Sequence, residues 1–283
     1  MYAVSPLRYP GAKWRLGHFV SAILADNHLR DGHYAEPYAG GASLALSLMF
    51  ENQVSEIHLN DLDRSVYAFW KAAIEHTDDL VACILSTRVN MTSWYEQQEV
   101  QANKERASIV DLGFSTFFLN RTNRSGILTA GVIGGKEQAG RWKINARFNK
   151  KNLVSRIRRV AQFRSRIHVT RMDALTFLQR RNDSLPRKSF VYLDPPYFVK
   201  GRHVYLNAYD ADDHAGVAKT VTNEFTLPWM VSYDDVPEIR KFYRHARRLS
   251  YALRYSASTQ REGRELVFLS PFLRTRPDLL LNA

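Results

Sequence analysis

The sequence predicts an α/β fold: a doubly wound parallel sheet interrupted by a basic, mostly helical segment. Three observations lead there. Short apolar, β-branched runs alternate with stretches of helical period at both ends of the chain. A glycine turn, Pro37-Tyr38-Ala39-Gly40-Gly41, joins the first strand to the helix after it. Between about residues 64 and 163 the alternation stops and the pattern turns mostly helical. The expected division is a catalytic body of residues 1–63 and 164–283 carrying an inserted unit, 64–163.

Element by element, Leu16, Phe19, Val20, Ile23 and Leu24 predict a helix within Trp14–Leu29, behind the loop Arg8-Tyr9-Pro10-Gly11-Ala12-Lys13. A short strand ends near Glu36, a helix runs from Ala42 to about Glu51, and Ser55–Asn60 is a second strand ending at Asp61. That order is a βαβ unit and requires parallel pairing. Apolar groups at Tyr67–Trp70 and Phe114–Phe118 mark helices of the insertion. Glycines 126, 131, 134, 135 and 140 mark a loop or short hairpin, and Lys151–Gln162 a basic helix. Strand Ile167–Thr170, helix Ala174–Arg180 and strand Ser189–Leu193 follow, then strands at Trp229–Ser232, Leu249–Arg254 and Glu265–Leu269.

Charge narrows the partner. From Arg121 to Arg166 there are thirteen Lys or Arg against one acid, Glu137, so this segment alone carries the +12 of the whole chain. A solvated helix face intersperses acids among its bases; a nearly acid-free block suits a polyanion, here nucleic acid. Arg121, Asn123 and Arg124 have side chains that can make bidentate contacts to base edges, while Lys136, Arg141, Lys143, Arg147, Lys150 and Lys151 suit phosphates. No apolar run approaches the roughly 20 residues of a membrane span, and Met1–Pro6 lacks an export signal. A lone Cys83 fits a reducing cytoplasm and offers no cysteine-based metal site, so neither metal nor membrane is expected.

Four constellations carry chemistry. Glu36-Pro37-Tyr38-Ala39-Gly40-Gly41 lets backbone approach a cofactor closely, though a tight turn without a ligand needs glycine equally. It matches neither G-x-G-x-x-G nor a P-loop, which argues against dinucleotides and nucleoside triphosphates as ligands. Asp61 is placed to accept from both hydroxyls of a ribose, or to cap the next helix, a role open to Asp63 as well. Asp173 suits an adenine amino group or a helix cap, and Lys13 a carboxylate or phosphate. In Tyr192-Leu193-Asp194-Pro195-Pro196-Tyr197, a buried strand ends on an acid followed by two prolines. These fix their own φ and leave their carbonyls to accept from outside, giving a rigid acceptor pair beside an aromatic wall.

In chain order, Arg8-Tyr9-Pro10-Gly11-Ala12-Lys13, Glu36-Pro37-Tyr38-Ala39-Gly40-Gly41, Asn60-Asp61-Leu62-Asp63, the basic block and Asp194-Pro195-Pro196-Tyr197 resemble the Dam-like D12 class, the alpha group of DNA adenine-N6 methyltransferases, over nearly the full chain. The resemblance implies a Rossmann-like, S-adenosylmethionine-dependent methyltransferase sheet with a DNA-recognition insertion. By position, Tyr9 and Lys13 would meet the methionine end of the cofactor, Asp61 its ribose and Asp173 its adenine. Asp194-Pro195-Pro196-Tyr197 would hold an adenine flipped out of double-stranded DNA, the family's partner. A monomer is expected, cytoplasmic and working beside a restriction or defence system. One departure stands out: in Asn120-Arg121-Thr122-Asn123-Arg124-Ser125-Gly126, Ser125 replaces a frequent Asn, and Ile127–Gly140 differs from GATC-specific members. GATC specificity is therefore not expected. The competing readings are transfer to cytosine N4 or RNA adenine through the same acceptor geometry, and a DNA-binding relic without activity. A protein-glutamine methyltransferase fits less well, since those usually carry Asn-Pro-Pro-Tyr.

Overall fold

The structure, a computed structural model, describes residues 4–9, 13–198, 209–254, 262–271 and 273–281. Pro10-Gly11-Ala12 of the amino-terminal loop lies outside them. Seven strands form one sheet: β1 His33–Glu36, β2 Glu56–Asn60, β3 Ile167–Thr170, β4 Ser189–Leu193, β5 Trp229–Asp234, β6 Arg247–Arg254 and β7 Glu262–Leu269. Their spatial order is β3-β2-β1-β4-β5-β7-β6. The first five are parallel, whereas β7 enters antiparallel between β5 and β6.

β4 is buried along its whole length, as a Phe-Val-Tyr-Leu run between two helical layers must be. The strand order reverses between β1 and β4, and such a switch point opens a crevice beyond the carboxyl ends of the strands.

Helices α1 (Gly17–Asp26) and α2 (Ser43–Phe50) pack on one face with α3 (Arg64–Glu75), α4 (Thr77–Ser86), α5 (Met91–Ala102), α6 (Ile109–Thr122) and α7 (Lys150–Ala161). Helix α8 (Ala174–Ser184) and α9 (Ala211–Lys219) cover the other. Short helices α10 (Pro237–Phe242) and α11 (Pro277–Leu281) complete the order. α9 and the π turn after it, Thr220–Glu224, were not foreseen. The glycine segment forms turns, joined by the isolated bridge Asn123–Val132.

Residues 64–163 are mostly helical, but they do not enclose a core of their own. Phe69 and Trp70 of α3, Phe117 and Phe118 of α6 and Ile157 of α7 share one apolar cluster with Phe19 of α1 and Ile57 of β2. On α7 the apolar Leu153, Val154, Ile157 and Val160 turn inward, while Lys151, Arg158 and Arg159 stay exposed.

At the switch point the backbone of Gly32 lies so close to β4 that a Cβ there would stand 2.0 Å from the Lys188 carbonyl oxygen. Gly32→Ala is expected to force β1 and β4 apart and to cost about 2–3 kcal/mol in a denaturant titration. A loss within experimental error would show that the junction yields freely.

Candidate active site

The carboxyl ends of β1, β2 and β4 border a cavity of about 360 Å³, lined among others by Tyr9, Lys13, Glu36, Gly40, Asp61 and Asp194. The turn after β1 is held from several sides. Asp61 accepts from the Gly40 N–H at 2.9 Å through Oδ2 and from the Asp63 N–H at 3.0 Å through Oδ1. Asp63, not Asp61, caps α3 through the Ser65 N–H. Gly40 has φ +45°, and a Cβ there would meet the Tyr9 ring at 2.6 Å, so the aromatic ring itself demands the glycine. Burial raises the Asp61 carboxyl to about 7, against the pull of the Gly40 and Asp63 amides.

Buried Asn60, which sequence reasoning passed over, donates to the carbonyls of Pro37 and Met172 and accepts from the Met172 N–H at 2.9 Å, joining the turns after β1 and β3. Asp173 is exposed and caps α8 through one oxygen, Oδ1. Its neighbours Met172 and Ala174 line the cavity. Glu36 is buried, accepting from Tyr34 Oη at 3.0 Å and the Ala45 N–H at 3.2 Å, and burial lifts its carboxyl to about 8. Tyr38 Oη donates to Tyr209 Oη at 3.0 Å.

At the end of β4, Asp194 Oδ1 accepts from Ser232 Oγ at 2.9 Å and stands 3.1 Å from Lys13 Nζ. The same ammonium reaches Glu265 Oε2 at 2.8 Å. Glu265, on β7, also accepts from Tyr197 and Tyr251. The Lys13 ammonium lies 5.4 Å from the centre of the Tyr197 ring. The Asp194 side chain is 25% exposed and Glu265 1%, so of the two only Asp194 can touch a substrate.

Their environments push the two acids apart. Burial raises the Asp194 carboxyl and outweighs Lys13, whereas for Glu265 the cost of burial is exceeded by Lys13 and the two tyrosines, leaving it below the usual range. Burial would depress the Lys13 ammonium, but Asp194 and Glu265 hold it well above its ordinary value.

The D12 class N6 adenine-specific DNA methyltransferase model matches residues 9–257. The chain belongs to that family. It is an adenine-specific DNA methyltransferase with a Rossmann-like sheet, acting on DNA with a methyl donor. Comparison with curated proteins finds no match. Among solved structures, an rRNA methyltransferase from Streptomyces viridochromogenes is 13% identical with a TM-score of 0.41, covering 96% of this chain and 88% of its own. A provisionally named RNA methyltransferase from Pyrococcus horikoshii is 10% identical with a TM-score of 0.40, covering 93% and 90%. Likenesses of that degree carry no functional argument. No described helix is long and apolar enough to cross a membrane.

In this methyltransferase the start of the basic segment faces inward. Arg121 is buried, donating through Nε at 2.8 Å and Nη2 at 2.5 Å to the Pro6 carbonyl, and burial lowers its guanidinium to about 9. Asn123 is buried too, accepting from Trp94 Nε1 at 2.7 Å and donating to the Leu128 carbonyl at 2.8 Å. Asn120 grips both the N–H and the carbonyl of Arg8, each at 2.7 Å. Two of the three residues expected to read bases are thus internal: Arg121 holds the amino-terminal loop against α6, and Asn123 ties α5 to the turn after α6.

Lys150 donates to the carbonyls of Leu85 and Thr87 at 2.7 Å. Arg124, Lys136, Arg141, Lys143, Arg147 and Lys151 are exposed. Ser125, the departure from the family pattern, has φ +57°, in the left-handed region that Asn tolerates better than Ser.

If Asp194 accepts hydrogen bonds from an amine it does so ionised, and turnover should then fall as pH drops through its raised value. Lys13→Met removes the nearest cation and lifts that value further, because burial and Glu265 remain. The acid limb of kcat/KM against pH is expected to move to higher pH. An unmoved limb would separate Lys13 from the charge of Asp194.

Proposed function

We propose that the protein transfers a methyl group from S-adenosylmethionine to N6 of a specific adenine flipped out of double-stranded DNA. The observation that carries this reading is that one cavity is lined both by Asp61 and the glycine turn and by Asp194 at the end of β4. The residues present suit that cofactor. Both Asp61 oxygens are anchored by backbone N–H groups and retain lone pairs for two ribose hydroxyls. Tyr9 provides a flat wall over the glycine turn.

When bound, S-adenosylmethionine supplies an electrophilic sulfonium methyl. The amine of adenine is a poor nucleophile because its lone pair is delocalised into the ring. Asp194 and the Pro195 carbonyl each accept one N6–H and thereby aim the lone pair outward. Ser232 and Lys13 fix the Asp194 carboxylate beforehand, so that positioning and electrostatics supply the acceleration. Tyr197, fastened to Glu265, presents a ring that offsets part of the few kcal/mol lost when the base leaves the stack. Proton loss follows methyl transfer, and Asp194 receives the proton without needing to remove it first. The protein acts as a monomer.

Tritiated S-adenosylmethionine with unmethylated genomic DNA, followed by sequencing that maps N6-methyladenine, tests the reading. Label transferred by the wild type and lost by more than about 100-fold in Asp194→Ala is expected. Transfer only to RNA, or none despite cofactor binding, would overturn it.

The exposed basic residues divide by role. Arg124→Ala is expected to relax sequence preference, whereas Lys151→Ala should weaken binding on every sequence and reduce the salt slope by about one. Equal losses on all sequences for both variants would remove the distinction.

A further inference from the structure

A second cluster of ligand-type side chains lies away from the catalytic end. His33 opens β1, Glu56 opens β2, His58 follows two residues later, and His168 lies on β3. Parallel register pairs His33 with Glu56 and His58 with His168, so the period of two puts all four on one face of the sheet. His33 Nδ1 stands 3.1 Å from His58 Nε2, and His33 Nε2 3.8 Å from Glu56 Oε1. One donor atom from each of these three residues falls within 4.8 Å of the others, the one such group among the described residues. Two nitrogens bound to a tetrahedral zinc ion at about 2.05 Å would lie about 3.3 Å apart. The Glu56 Oε2 atom meets His168 Nε2 at 2.6 Å.

An ordinary core histidine has both ring nitrogens satisfied. His58 does not: it is 6% exposed and its Nδ1 meets no hydrogen-bond partner. Glu56 supplies the carboxylate of the group. His33 and Glu56 are partly exposed, at 21% and 35% of their side chains, which leaves an entry path.

We propose that His33, Glu56 and His58 bind a divalent transition-metal ion, with zinc the best match to two imidazoles and a carboxylate, while His168 orients Glu56 through its second oxygen. The ion clips β1 to β2 about 10 Å from the carboxyl ends of the strands, and acts on the fold without entering methyl transfer. Locally the sequence marks only the Glu56-x-His58 pair of β2; His33 comes from β1.

The test uses tag-free, chelator-stripped protein titrated with zinc by calorimetry and with cobalt, whose visible absorption reports four-coordinate nitrogen and oxygen ligation. One ion per chain is expected, with affinity reduced at least 100-fold in His33→Ala and in Glu56→Gln, and about tenfold in His168→Ala. Circular dichroism checks that each variant folds, and the variants that do decide the outcome. Absence of saturable binding to the wild type would overturn the proposal. So would undiminished affinity in folded His33→Ala and Glu56→Gln.

Discussion

A single ammonium group organises the catalytic end of this methyltransferase. Lys13 Nζ stands between Asp194 on β4 and Glu265 on β7, two acids that could not both be ionised in that space without it. Its charge is shared unequally. Glu265, enclosed and fed by two tyrosine hydroxyls, takes the ionised role, and Asp194 is left partly compensated at the edge of the cavity. A carboxylate with incomplete compensation retains acceptor capacity for an incoming amine, whereas a fully paired one would not.

The position of Lys13 depends in turn on how the amino-terminal loop is held. Asn120 and Arg121, at the last turn of α6, hold the backbone of Arg8 and Pro6. Tyr9 then lies across the glycine turn that Asp61 secures from the other side. The basic segment and the cavity therefore share structural members, and one core runs from α1 through α6 and α7.

How much of this was legible depended on whether the information was local. Strand β4 and its acidic end could be read from a buried apolar run halted by Pro-Pro, and Asp61 from its place after a strand that follows a glycine turn. Glu265 could not. Its meeting with Lys13 requires β7 to enter antiparallel beside β5, and nothing in Glu265-Leu266-Val267 encodes that neighbour. The misleading signal was Arg121: counting charge placed it on the DNA face, but α6 is buried on every side from Leu112 onward, so the guanidinium turned to a backbone carbonyl. The histidine cluster was nearly as silent, because register between strands, not spacing along the chain, brings it together.

The internal grip of Asn120, Arg121 and Asn123 bears on how specificity can diverge among relatives. A graft of the whole 64–163 segment from a methyltransferase with another target would import a foreign partner for Pro6 and Arg8, and with it a misplaced Lys13. The exposed turns between Arg124 and Arg147 can instead be exchanged with the anchoring residues of α6 left in place. The separation of anchored from exposed residues within one short stretch gives the scaffold room to vary its surface without disturbing the position of Lys13.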